Sequence, residues 1–351
     1  MPKIDPAIIH KRFWWYRFWQ YLVALLLFVS VPIAVVYLTW IFQMPKQIYY
    51  MAGGFCLVQI IMLYLSPRWV LSMIASFPDK YQKVTPETQP RFYAKLDKLA
   101  QKSNFAMPDV YIVDSETANA FALKIFGSTY IACITKKLME ILTEDEAEAV
   151  MAHEFGHIAN DDVKLTMYVA VFNILVQVIN KHIVDLIIQR GLEKSEELIA
   201  SGSTAKSSIA PMLEKGGFLA IFGSISIAYK ILTYFPYFVA ILFARIMQQK
   251  EYRADAHAVY ILEETATLKS GLAKLQKYAQ RLPMFPAALN PLFAVPVGYH
   301  FFLWPLVFIF PSLKDSDDAM QEPGWGERLR NLMESHPLVY DRIKRMESYE
   351  V

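Results

Sequence analysis

An uncharged run of 22 residues, Tyr21 to Phe42, constrains this chain more than any other feature. As a helix rising about 1.5 Å per residue, it matches the roughly 30 Å hydrocarbon core of a bilayer. Lipid offers the backbone no hydrogen-bond partners, so such a run must close its own helical ladder. A second run, Ile48 to Leu65, has 18 residues and follows a short link containing Pro45. Together they predict a transmembrane hairpin over 21–65. Lys3, Lys11, Arg12 and Arg17 precede it, Arg68, Lys80 and Lys83 follow it, and the link carries only Lys46. Positive charge collects on the cytoplasmic side, which puts residues 1–20 and the chain after Leu65 in the cytoplasm. The first run is too long for the core of a cleaved signal peptide and reads as a retained anchor.

Across 351 residues the hydrophobic share is 55% and the charged share 19%. Soluble domains carry about 45–50% and about 25% respectively, and here the excess sits in blocks. A net charge of +2 gives no basis for nucleic-acid binding. Leu165 to Asn180 and Gly217 to Met247 are further apolar segments, the latter interrupted by Lys230 and Pro236. They predict a second transmembrane hairpin over 163–247. The competing reading makes the shorter segment a buried soluble helix. Residues 292–310 are also apolar but contain Pro296, Gly298 and Pro305, a poor sequence for a regular helix. They are expected to lie at the interface, dip into one leaflet or pack on the domain. The expected architecture is an α-helical membrane protein with four transmembrane helices in two hairpins. Its water-facing domain comes in two parts, 66–162 and 248–351.

Within that domain, Phe92, Leu96 and Leu99 recur at helical spacing among charges. Val110–Val113, Phe121–Phe126 and Thr129–Thr135 read as strands. Thr143 followed three residues later by Glu146 forms a capping box and predicts a helix over 144–159. Cys56 and Cys133 lie in an apolar segment and a strand, and make neither a pair nor a zinc cluster.

The helix over 144–159 carries His153-Glu154-Phe155-Gly156-His157. Its two histidines are four residues apart, so they project from one face and can bind a single zinc ion. Glu154 then stands beside the metal's open position, where it can take a proton from the attacking water. A catalytic zinc needs a third protein ligand. Metzincins place a histidine six residues after the second one, but that position is Val163. A later segment reads Lys250-Glu251-Tyr252-Arg253-Ala254-Asp255. On a helix Glu251 and Asp255 share a face, so Glu251 can bind the metal while Asp255 accepts the outer N–H of a ligand histidine. An even number of spans must separate His157 from Glu251, and the second hairpin supplies two. The competing reading of Glu251 is a solvated charge at a membrane exit, with Lys250 and Arg253 as surface neighbours. His182, His257 and His300 read as ordinary residues.

With these motifs in place the chain resembles the HtpX group of membrane zinc metalloproteases, a family that also contains the type I CAAX prenyl proteases and the mitochondrial Oma-type proteases. The likeness rests on Asn119-Ala120-Phe121-Ala122, Thr143 to Asp162, Lys250 to Asp255, and Ser335-His336-Pro337 followed by Arg342-Ile343. Residues 284–325 depart from it, being longer and more apolar. The resemblance implies an α+β zincin domain of the gluzincin type, with zinc at His153, His157 and Glu251 and Glu154 as general base. It implies that Asn119, Ala120, Phe121 and Ala122 pair with an extended substrate as an added strand, and that His336 and Arg342 stabilise the oxyanion. It further implies an endopeptidase of the bacterial inner membrane, its site facing the cytoplasm. Such an enzyme removes misfolded or damaged membrane proteins under stress, by glutamate-assisted attack of water at the zinc. Two other functions compete: a CAAX-like processing protease, which would need more apolar segments, and a non-catalytic zinc-binding scaffold, which would not need Glu154.

Overall fold

The computed structural model describes residues 81–124, 130–164, 166, 244–245, 247–278, 319–331, 334 and 336–349, with isolated positions between 18 and 61. Apart from those isolated positions, the hairpin expected at 21–65 lies outside the described residues, as do most of 163–247, the run at 292–310 and the histidines at 182 and 300. Among the described residues no helix is long and apolar enough to cross a membrane.

The sheet forms where β-branched and aromatic residues concentrate. Tyr81–Lys83 (β1), Asp109–Val113 (β2), Ala120–Lys124 (β3) and Tyr130–Thr135 (β4) make four strands in the order β1-β2-β4-β3. β2 and β4 run parallel with Val110 opposite Ala132, while β3 returns antiparallel to β4 with Phe121 opposite Cys133. β1 is antiparallel to β2, Tyr81 facing Val113. The strands expected at 110–113, 121–126 and 129–135 coincide with β2, β3 and β4, although 125–129 fall outside the described residues. β1 escaped the sequence reading because Tyr-Gln-Lys has no alternation to mark it.

Helix α1, Pro90–Lys102, begins on a proline that suits the first turn and buries Phe92, Leu96 and Leu99. Lys136–Ile141 (α2) follows β4 directly, its first turn capped by Thr135. Glu144–Ala159 (α3) starts on the expected capping box: Thr143 N–H donates to Glu146 Oε2 at 2.7 Å, and Glu146 N–H to Thr143 Oγ1 at 3.3 Å. The Glu146 carboxylate also accepts from Ser270 Oγ and Lys274 Nζ, both at 2.6 Å. These two donors lie on Ala266–Tyr278 (α5), so one side chain both starts α3 and binds it to a neighbour. Every residue from Ala149 to Ile158 is buried, as in a helix enclosed on all sides. α3 packs on β3 and β4 and against α1 and α5.

Residues 247–262 (α4) are helical, as are Trp325–Asn331 (α6) and Val339–Glu347 (α7). α7 turns Val339, Arg342, Ile343 and Met346 inward, a stripe at helical spacing. The described parts belong to one compact unit drawn from Met1–Phe172 and Phe243–Val351.

Candidate metal centre

α3 and α4 meet at Gly156. A Cβ there would stand 2.9 Å from both Cα and O of Ala254, well inside the ordinary carbon contact distance of about 3.5–4.0 Å. Glycine lets the two backbones approach, and the approach sets His153 and His157 against Glu251, nearly one turn before Ala254. His153 Nε2 lies 3.3 Å from Glu251 Oε2, and His157 Nε2 lies 3.5 Å from Glu251 Oε1. The two imidazoles stand nearly perpendicular, with ring centroids 4.8 Å apart. One ligand atom from each of the three residues lies within 4.8 Å of the others.

A metal ion fits these side chains. Donors about 2.0–2.1 Å from tetrahedral zinc sit about 3.3 Å from one another, close to the 3.3 and 3.5 Å separations here. Both Glu251 oxygens are buried without a hydrogen-bond partner. Two histidines and a glutamate are also a donor set that leaves the fourth position open for chemistry.

The electrostatics follow from burial and from the crowding of charge. Burial pushes the Glu251 carboxyl up, but His336, His157 and Lys250 outweigh it and hold the group well below the usual carboxylate range. Burial lowers the His157 imidazole, but Glu251 and Asp162 prevail and push it up to about 9. Glu154 is 2% exposed and its Oε1 has no hydrogen-bond partner. Burial raises its carboxyl against the opposing pull of His157 and His153, a setting suited to taking up and releasing a proton.

Behind His153, Nδ1 lies 2.9 Å from Asp255 Oδ1. Asp255 is in turn gripped by Arg342, with Nη2 at 2.6 Å from Oδ1 and Nε at 2.9 Å from Oδ2. Burial raises the Asp255 carboxyl, but Arg342 and His153 bring it down to about 2. Arg342 Nη1 lies 4.0 Å from Glu251 Oε2, on the metal side. His336 Nε2 lies 3.5 Å from Glu251 Oε1, and burial pushes its imidazole down to about 3. Asn331 Nδ2 donates to the His336 carbonyl at 2.7 Å, fixing the turn before α7.

Asn119 enters β3. Its N–H donates to Thr135 Oγ1, and its own Oδ1 accepts from Ala120 N–H, both at 2.9 Å. Ala120, Phe121 and Ala122 follow on the terminal strand of the described sheet, all buried. Lys250 and Arg253, surface neighbours on the solvated-charge reading, are 3% and 2% exposed. Lys250 Nζ reaches Thr166 Oγ1 at 3.0 Å and Glu251 Oε1 at 3.4 Å, and Arg253 pairs with Asp162. His257 is not one of the clustered donors, and its Nε2 lies 3.0 Å from Ser103 Oγ. The sequence reading gave Gly156 no role, Asp162 only a place at the end of the resembling segment, and Lys250 and Arg253 only the part of surface neighbours. For Gly156 the available signal was a glycine inside a strong helix, which costs helix stability unless packing requires it.

Residues 86–350 match Peptidase family M48. The chain belongs to that family. It is 26% identical over 264 residues to a protease HtpX homolog of Campylobacter hominis, covering 75% of this chain and 77% of the relative. A protease HtpX homolog of Nostoc is 27% identical over 266 residues, covering 76% and 75%. One from Streptococcus uberis is 26% identical over 310 residues, covering 84% and 89%. The crystal structure of S. mikatae Ste24p aligns with a TM-score of 0.43 at 17% identity, over 95% of this chain and 66% of that one. This M48 peptidase is a metalloprotease, and among the described residues His153, His157 and Glu251 are the group able to hold its metal.

Proposed function

We propose that this M48 peptidase is an integral membrane zinc endopeptidase that cleaves misfolded or damaged membrane proteins at the cytoplasmic face. The carrying observation is the donor geometry: two imidazole Nε2 atoms at 3.3 and 3.5 Å from a buried carboxylate with no hydrogen bonds of its own. Its membrane setting is supported by the uncharged run from Tyr21 to Phe42 and by the basic residues on either side of the first hairpin. The substrate class rests on the resemblance to the HtpX group.

Zinc bound at His153, His157 and Glu251 would polarise the scissile carbonyl and ease deprotonation of a water. The chain's own residues supply the rest. An extended substrate lies beside Asn119–Ala122, its backbone pairing with β3. Glu154, directly after the first histidine, takes a proton from the attacking water and later passes it to the leaving amine. His336 faces the metal side of Glu251 and donates to the developing oxyanion. Arg342 keeps two nitrogens on Asp255, so its first contribution is to orient His153; its Nη1 adds positive charge on the oxyanion side.

Full-length protein purified in detergent tests this reading. Wild type should bind one zinc per chain and cleave an unfolded protein such as casein, and Glu251→Ala should lose both properties. Glu154→Gln should keep the zinc and lose at least about a hundredfold in rate, the scale of general acid–base catalysis. Near-normal turnover by Glu154→Gln would overturn the mechanism.

A further inference from the structure

We propose that Asp162 and Arg253 position His157, forming behind it a carboxylate–guanidinium brace like the one Asp255 and Arg342 form behind His153. The inference rests on the metal reading of His153, His157 and Glu251.

The chain is shaped to put Asp162 there. α3 ends at Ala159, and Asp161 then takes φ 56°, a left-handed conformation that aspartate tolerates better than most residues. The Asp161 carboxylate accepts from Tyr130 Oη at 2.5 Å and Lys164 Nζ at 2.9 Å, which anchors the reversal to the start of β4. Asp162 is thereby folded back under the last turn of α3. Its Oδ2 lies 3.6 Å from His157 Nδ1. That is longer than the hydrogen-bond range of about 2.7–3.2 Å. Yet both atoms are buried and neither has a hydrogen-bond partner. The other nitrogen of the ring, Nε2, faces Glu251. His157 thus turns its outer nitrogen to Asp162, as His153 turns its own to Asp255. An imidazole that binds a metal through Nε2 carries its proton on Nδ1, the atom that here stands opposite Oδ2.

The opposite oxygen, Oδ1, accepts from Arg253 Nη2. Arg253 stands two residues after Glu251 on α4, so the helix that supplies the third ligand also fixes the support of the second. Stability alone does not explain this pair. Asp162 and Arg253 are 3% and 2% exposed, and an apolar pair of similar volume holds a fold as well as a buried ion pair or better. An acceptor aimed at a ligand histidine does explain it.

The test compares full-length wild type with Asp162→Leu/Arg253→Met and with Asp162→Asn. The readouts are zinc dissociation constants by chelator competition, visible spectra after cobalt loading, and melting of the metal-free protein. The double substitution removes both charges together, so no buried charge is left alone and the metal-free protein should melt close to wild type. Its zinc dissociation constant should nonetheless rise about 10–100-fold, and its cobalt spectrum should shift. Wild-type affinity in the folded double variant would overturn the proposal and leave Asp162 a partner of Arg253 alone. Should the double variant not fold, Asp162→Asn decides: it leaves one acceptor for two donors, and its dissociation constant should rise about tenfold. An unchanged value there also overturns the proposal. If wild type binds no zinc, the metal reading itself fails; if wild type binds it and both variants bind equally well, only the role of Asp162 fails.

Discussion

Replacing Gly156 with alanine should separate metal binding from folding. The added methyl would lie 2.9 Å from Cα and O and 3.3 Å from C of Ala254. These are backbone atoms of α4 and cannot rotate away. Restoring a carbon contact of about 3.5 Å requires the helices to part by about 0.6 Å. Glu251 moves with α4 while His153 and His157 stay on α3. Metal–donor distances tolerate about 0.2 Å, so the displacement exceeds that tolerance roughly threefold. Zinc should bind at least about 10–100-fold more weakly, since disturbing an outer support alone costs that much. Stability should change far less. Overpacking costs about 1–3 kcal/mol, while alanine in place of a helical glycine recovers about 0.5–1 kcal/mol. The net is roughly 0–2.5 kcal/mol, and in a domain of this size about 2–4 °C of melting temperature per kcal/mol. The assay pairs zinc content after graded chelator dialysis with thermal melting of the metal-free protein. A Gly156→Ala protein with wild-type zinc affinity and full proteolysis would refute the idea that this glycine sets the approach of α4 to α3.

Three further outcomes are expected. Asp255→Asn should leave the protein folded but weaken zinc binding by about 10–100-fold; an unchanged dissociation constant would return Asp255 to a purely structural pairing with Arg342. Glu146→Gln should cost about 1–3 kcal/mol, because Ser270 and Lys274 lose a charged acceptor. The Glu146 carboxyl is brought down to about 2 by Lys274 and Ser270 against the opposing effect of burial, below an unfolded value of about 4.3. Its contribution is therefore complete above pH of about 4.3 and is lost as the pH falls through about 2. The Gln variant should lose melting temperature less steeply than wild type across that window, and parallel curves would refute the linkage. Single cysteines at Gln101 and Ser348, both exposed, in a background lacking Cys56 and Cys133, should label from the same, cytoplasmic side. Labelling of Ser348 from the opposite side only would mean that 292–310 crosses the membrane, and the roles of His336 and Arg342 would fall with it.

What the sequence alone determined was local. The capping box at Thr143 and Glu146 marks the start of α3 to the residue, because a cap is a bond between residues three apart. The His153–His157 spacing puts two imidazoles on one helical face for the same reason, and β2 and β4 announced themselves through their β-branched residues. Glu251 was legible only once the two histidines called for a third donor, and the membrane segments expected before it rest on hydropathy. The tertiary structure decided what depends on two remote segments touching. Gly156 is an interruption in a helix until Ala254 is packed against it. Arg253 resembles a solvated charge until Asp162 lies opposite, and Arg342 an ordinary helical cation until it closes on Asp255. Periodicity records which face of an element is buried, but not which distant residue it meets. The close approach that gathers donors around one point is therefore written in no single stretch of the chain.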